Sequence, residues 1–159
     1  MGCVSLLKKE TFFKGMVVQE EINFLLIEDD DLDVQNLQRA FKKNNINYHL
    51  YVAKNGVEAL EMIRGEGSLP LIPRPHVIML DLNMPKMGGI EFLHELRKDA
   101  RFKSLPVFIL TSSDQEEDKI AAYNLNIAGY ILKSLDFDEF LGTVKILDSY
   151  WTLCEYPNR

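Results

Sequence analysis

The chain has 159 residues, 47% hydrophobic and 26% charged, a balance that suits one compact domain with its own core and excludes a disordered polypeptide. Its formal net charge is −6 and no Lys- or Arg-rich face appears, which argues against sequence-independent binding to nucleic acid. No apolar stretch approaches the roughly 20 residues of a membrane span, and Cys3 and Cys154 stand in no metal-ligand or redox spacing.

The N-terminus lacks the layout of a signal peptide, and Met1-Gly2-Cys3 is discounted as a myristoylation signal because Leu6 stands where a hydroxyl residue is wanted. A cytoplasmic protein with reduced thiols is the expectation. Residues 1–20, which mix Lys8, Lys9, Phe12, Phe13 and Lys14 without a clear period, read as an N-terminal extension to a domain spanning 21–150.

From there the pattern sharpens. Phe24 to Ile27 is a continuous apolar run, followed by a helical stretch with Val34, Leu37 and Phe41 on one face. Tyr48 to Ala53 is a weaker strand candidate, and Asn55-Gly56 fits a turn into a helix carrying Val57, Leu60 and Ile63. Gly65 to Pro75, with three prolines, reads as an extended loop before the apolar run Val77 to Leu80. A third helix carries Ile90, Leu93 and Leu96, and Val107 to Leu110 is the next apolar run. Ser113 with Glu116 makes a capping box for a fourth helix, Ala128 to Leu132 a last strand, and Asp136 with Glu139 a similar box for a helix lining up Phe140, Val144, Leu147 and Trp151.

Continuous rather than alternating apolar strands are buried on both faces, as in a parallel sheet covered by helices. Strand and helix alternating five times therefore predict an open α/β sheet with helices on both sides. Residues 151–159 read as an aromatic tail, which covers the edge of the core or forms a partner surface, with a homodimer contact favoured.

Polar residues gather where the strands end: Glu28-Asp29-Asp30-Asp31 after the first, Asp81 after the third, Thr111 after the fourth and Lys133 after the fifth. In a doubly wound sheet those ends face one crevice. An acidic run alone is ordinarily a solvated helix start, and Asp30 and Asp31 are assigned to capping the first helix. Joined to Asp81, however, the crowded carboxylates repel one another unless a cation neutralises them, and an oxygen-rich set of this kind suits Mg²⁺. Lys133 and the Thr111 hydroxyl add what is needed to hold an anionic phosphoryl group, and an aspartate such as Asp81 can itself attack phosphorus to give an acyl phosphate. His49, His76 and His94 show no ligand spacing.

Ile27-Glu28-Asp29-Asp30, Leu80-Asp81-Leu82-Asn83-Met84-Pro85-Lys86-Met87-Gly88-Gly89, Leu110-Thr111-Ser112 and Gly129-Tyr130-Ile131-Leu132-Lys133 together resemble the receiver domains of two-component response regulators, over about residues 22–150. The resemblance implies a flavodoxin-like, three-layer fold with a five-stranded parallel sheet in the order 2-1-3-4-5 and five helices. It implies that Asp29 and Asp81 bind Mg²⁺ directly, Glu28 through water and Asn83 by its backbone carbonyl. Asp81 would take the phosphoryl group from a histidine kinase or phosphotransfer protein, and Thr111 and Lys133 would hydrogen-bond its oxygens. Thr111 would then move inward and Tyr130 follow, a two-state switch rather than a turnover enzyme. A downstream protein would read the face of the fourth helix, fifth strand and fifth helix. The proline-containing loop, Arg97 to Pro106 and Tyr150-Trp151-Thr152-Leu153 are most similar in style to single-domain regulators associated with bacterial phytochromes.

One departure from the family pattern matters. Receivers follow the lysine with proline through a cis peptide, whereas Lys133 precedes Ser134. A cis bond before another residue costs about 2.5 to 4 kcal/mol, so either a trans bond with a shifted loop or a strained cis bond is expected. Ser134 also keeps open a pseudo-receiver that binds partners without accepting phosphate. A phosphohydrolase with an aspartate nucleophile is a further alternative, but such enzymes want a second Asp two residues on, where this chain has Asn83.

Overall fold

The continuous apolar runs form the inner strands of a parallel sheet in the computed structural model, which describes residues 10–13, 16–19 and 21–157. The chain runs β1 (Glu10–Phe13), β2 (Met16–Gln19), β3 (Ile22–Ile27), α1 (Asp31–Lys43), β4 (Tyr48–Ala53), α2 (Gly56–Arg64), β5 (Val77–Leu80), α3 (Gly89–Lys98), β6 (Val107–Thr111), α4 (Glu116–Asn124), β7 (Gly129–Leu132) and α5 (Phe137–Leu153). The five-stranded sheet has the order β4-β3-β5-β6-β7, every ladder parallel. Counted from β3 this is 2-1-3-4-5, the predicted flavodoxin-like order.

Burial on both faces explains why these strands show no period of two. Every residue of β5 and β6 is buried, their side chains alternating between two cores. Leu25, Ile27, Ile78, Leu80 and Ile109 pack beneath α2, α3 and α4, while Phe24, Leu26, Val77, Met79 and Phe108 pack beneath α1 and α5. The molecule is thus three layers. The edge strands β4 and β7 are only partly covered, which is why they read more weakly.

The helix starts follow local chemistry. Asp30 caps α1 by accepting the Leu32 N–H, and Asn55 caps α2 by accepting those of Val57 and Glu58. Asp136 accepts from Asp138 and Glu139, as predicted, although the Glu139 carboxylate turns to the Ser134 hydroxyl instead of closing the box. The box expected from Ser113 and Glu116 does not form. Helix α4 begins at Glu116 behind Gln115, and the Ser113 hydroxyl is engaged by Asp118 at 2.5 Å. On α2 the core face is Ala59, Leu60 and Ile63, leaving Val57 exposed.

Two features stand at the chain ends. The expected extension contains an antiparallel pair, β1 with β2, in which Phe12 is the backbone register partner of Val17; strands of four residues are too short for a period to show, although Thr11, Phe12, Val17 and Val18 favour extended backbone. At the other end α5 continues to Leu153, and the buried Trp151 ring meets Phe24 at 4.7 Å and Phe108 at 5.8 Å. Tyr156 lies 5.3 Å from His76, so Trp151 and Tyr156 cover the domain's own core. Cys154 is a free thiol, and Cys3 lies outside the described residues. No helix among the described residues is long and apolar enough to cross a membrane.

Candidate functional site

Strand register brings the acidic residues together. Ile27 pairs with Leu80, so Glu28 and Asp81 leave adjacent strands at the same level, and the Asp81 N–H donates to the Ile27 carbonyl at 3.0 Å. Ligand oxygens of Glu28, Asp29 and Asp81 all lie within 4.8 Å of one another. Glu28 and Asp81 are buried and Asp29 is exposed, which leaves the cluster open on one side.

Local hydrogen bonds aim these carboxylates. Asp81 Oδ1 accepts the Leu82 N–H at 2.8 Å, and Glu28 Oε1 accepts the Asp30 N–H at 3.0 Å. Burial pushes the Glu28 carboxyl up to about 7, with the neighbouring Asp81 adding to the rise against the opposing pull of Lys133. A carboxyl so placed is short of positive charge, and three converging carboxylate oxygens are a hard donor set of the kind Mg²⁺ or Mn²⁺ accepts.

Lys133 reaches this cluster from β7. Its Nζ lies 2.7 Å from Glu28 Oε2, 2.6 Å from Asp33 Oδ2 and 3.6 Å from Asp81 Oδ2. Burial lowers the ammonium's pKa, but Asp33 and Glu28 more than offset it, and the net shift is upward. No cis peptide occurs among the described residues, so Lys133 precedes Ser134 through a trans bond and still enters the pocket. The Lys133 N–H holds the Thr111 carbonyl at 2.8 Å, tying the ends of β6 and β7.

Thr111 is fully buried, and its Oγ1 accepts the Ser113 N–H at 3.3 Å. The Ser113 carbonyl in turn accepts the Tyr130 hydroxyl at 2.9 Å. Thr111 and Tyr130, predicted as a switching pair, are therefore linked through Ser113. Asn83 is exposed in the loop between β5 and α3.

That loop has little freedom. A Cβ on Gly89 would stand 2.5 Å from the Asp81 carbonyl oxygen, and the Met87 carbonyl accepts the Gly56 N–H at 3.0 Å from the start of α2. Asp33 was not singled out from the sequence, and Ser113 was read only as a helix cap. Asp33 looks like any acid in the first turn of a helix.

Residues 24–145 match the response regulator receiver domain. This chain belongs to that family. Response regulator Rcp1 of Synechocystis sp. is 35% identical over 127 residues, covering 80% of this chain and 86% of the relative. The crystal structure of the phosphorylated cyanobacterial phytochrome response regulator RcpA superposes with a TM-score of 0.81 at 31% identity, over 87% of this chain and 100% of that one. The Mn²⁺-bound form of Rcp1 gives 0.78 at 32% identity, over 87% and 99%. Receivers are signalling proteins, not turnover enzymes, and the family implies a histidine kinase as partner.

Proposed function

We propose that this receiver is a phosphorylation-driven switch in which Asp81 accepts a phosphoryl group from the phosphohistidine of a sensor kinase or phosphotransfer protein, with Mg²⁺ as cofactor. The observation that supports it most is the meeting of Glu28, Asp29 and Asp81 within 4.8 Å, beside a lysine ammonium 3.6 Å from Asp81. Asp29, Asp81 and the Asn83 carbonyl would hold the ion, with Glu28 acting through water. When bound, the cation neutralises charge on the phosphoryl oxygens.

The protein's own residues do the rest. A carboxylate oxygen of Asp81 attacks phosphorus as the bond to the histidine nitrogen breaks; that nitrogen keeps the electron pair and takes up a proton. The Leu82 N–H fixes one Asp81 oxygen at 2.8 Å, which orients the carboxylate for the attack. Lys133 balances the charge of the acyl phosphate. Water later hydrolyses that acyl phosphate, releasing inorganic phosphate and restoring the carboxylate.

For the switch, the Thr111 hydroxyl leaves the Ser113 N–H for a phosphoryl oxygen, and Tyr130 gives up the Ser113 carbonyl to follow it. The altered surface is that of α4, β7 and α5, where Ile120, Tyr123 and Tyr150 are exposed. A downstream protein discriminates the two states only as far as that surface differs between them. RcpA is a cyanobacterial phytochrome response regulator, and a phytochrome-type histidine kinase is our reading for the partner of this chain too.

Incubation with Mg²⁺ and acetyl phosphate or phosphoramidate, followed by intact-mass and peptide analysis, tests the proposal. A phosphoryl adduct on Asp81 that disappears in Asp81→Asn is expected. An unmodified wild type, or equal modification of the variant, would instead support the pseudo-receiver that Ser134 keeps in view.

A further inference from the structure

Lys133 has a third acidic partner that the proposed phosphoryl chemistry does not use. Asp33 stands in the first turn of α1, 100 residues away in sequence, and its Oδ2 lies 2.6 Å from the ammonium. Asp81 is more distant, at 3.6 Å, beyond a direct hydrogen bond. An ammonium has three N–H donors, and two of them are directed at Glu28 and Asp33. Asp33 does not belong to the trio of converging carboxylates, so its hold on the lysine is separate from theirs.

We infer that Asp33 is a positioning residue that restrains phosphorylation: it retains Lys133 in the resting protein, and the phosphoryl group on Asp81 must compete with it for the ammonium. This inference rests on the reading of Asp81 as phosphoacceptor. The geometry supplies the direction. Charge-assisted contacts of 2.6 and 2.7 Å are the strong kind, and Lys133 is largely shielded from solvent while Asp33 is about one third exposed, so the pair is weakly screened on the lysine side. Delivering the ammonium to the phosphoryl oxygens loosens the Asp33 contact. The Asp33 charge also repels the incoming dianion, so both effects point the same way.

Sequence explains why the pair is local to this chain's geometry. Asp30 caps α1, which sets Asp33 on the helix turn that overlooks the end of β7. Asp33, Asn36, Lys133, Ser134 and Phe137 line one small cavity beside the acidic cluster. Asp33 and Lys133 thus stand together in the wall of this cavity.

The test is Asp33→Asn, which removes the charge while keeping an acceptor oxygen of the same size. Two quantities are read on the full chain: the trace acetylation rate of each lysine by acetic anhydride, resolved by peptide mass spectrometry, and the fraction of Asp81 phosphorylated at steady state with acetyl phosphate and Mg²⁺. Lys133 should acetylate several-fold faster than in wild type relative to Lys54, and the phosphorylated fraction relative to the unmodified form should rise about fivefold. Asp33→Glu, which restores a carboxylate, should return both readouts toward wild type. An unchanged Lys133 rate overturns the inference, and so does faster acetylation with an unchanged or lower phosphorylated fraction. If wild type takes no phosphoryl group at all, the reading of Asp81 falls, whereas the Lys133 rate still reports whether Asp33 holds the ammonium. Circular dichroism of Asp33→Asn checks that the fold is retained.

Discussion

The phenol of Tyr130 donates to the carbonyl of Ser113 at 2.9 Å, across the gap between β7 and the turn that leads into α4. Ser113 gives its N–H to Thr111 and its hydroxyl to Asp118, so one residue joins the end of β6, helix α4 and the aromatic strand. Burial raises the Tyr130 pKa, which keeps the hydroxyl a donor throughout the neutral range. Tyr130→Phe should lower stability by about 0.5 to 1.5 kcal/mol, the ordinary contribution of one such bond. Urea unfolding followed by Trp151 fluorescence measures it, and an unchanged midpoint would show that the bond contributes nothing to the resting state.

Gly89 makes the tightest approach in the loop after β5. An added Cβ would meet the Asp81 carbonyl oxygen at 2.5 Å, Leu82 Cδ2 at 2.8 Å and Leu82 Cα at 2.9 Å. Two of these neighbours are backbone and cannot swing aside, so the segment carrying Asp81 must shift. Gly89→Ala is expected to cost about 1 to 3 kcal/mol of stability and to weaken Mn²⁺ binding roughly tenfold, the latter read by electron paramagnetic resonance of the free ion. Retention of wild-type affinity would show that the loop absorbs the methyl without moving the carboxylate.

How much of this was legible beforehand depended on the kind of signal. The inner strands announce themselves because Val77-Ile78-Met79-Leu80 and Val107-Phe108-Ile109-Leu110 are buried on both faces and have no polar side to alternate with. Asp29 and Asp81 follow such strands, Thr111 ends one and Lys133 follows the edge strand β7, and they were findable because parallel register carries strand ends to one edge. Asp33 was not, since its partner lies 100 residues away and its own context is that of a common first-turn acid. Arg97 was equally silent. Its partners are main-chain carbonyls, which every residue has.

That Arg97 arrangement is testable. Its Nε donates to the Leu125 carbonyl at 2.8 Å, Nη1 to those of Lys103 and Leu105 at 2.9 Å, and Nη2 to that of Asn126 at 3.0 Å. One guanidinium thus pins the end of α3 to the loop before β6 and to the turn before β7. Arg97→Met removes all of these donors and leaves the less exposed carbonyls without partners, so a loss of about 2 to 4 kcal/mol is expected. Arg97→Lys should recover only part of it, because an ammonium lacks the planar fork. Chemical denaturation of the two variants separates the outcomes, and equal stability of wild type and Arg97→Met would remove the clasp from the account.

Gly142 gives a prediction of opposite sign. It lies inside α5, and nothing stands within 4 Å of where its Cβ would be. Glycine within a helix is less favourable than alanine by about 0.5 to 1 kcal/mol, because it loses more backbone freedom on folding. Gly142→Ala should therefore raise stability by about that amount and leave Mn²⁺ binding untouched. A destabilised variant would mean that this face of α5 contacts something not included among the described residues of one chain.

Asp99 supplies the pH dependence. The Arg101 side chain, its N–H and the Arg64 Nε all donate to this carboxylate at the end of α3, and Arg101 above all holds it well below the usual carboxylate range. A carboxyl depressed in the folded protein contributes stability above its unfolded pKa, about 3.9, and loses that contribution as pH falls from there toward the folded value. The unfolded chain binds the proton first, so acid favours unfolding through this group. Asp99→Asn keeps the shape and abolishes the titration. The stability gap between wild type and Asp99→Asn should be greatest near pH 6 and should narrow as urea unfolding is repeated at pH 4 and then pH 3. Other carboxylates titrate over the same interval, but they are common to both proteins and cancel in the difference. A gap that stays constant down to pH 3 would place the contribution of Asp99 in its hydrogen-bonded shape and not in its charge.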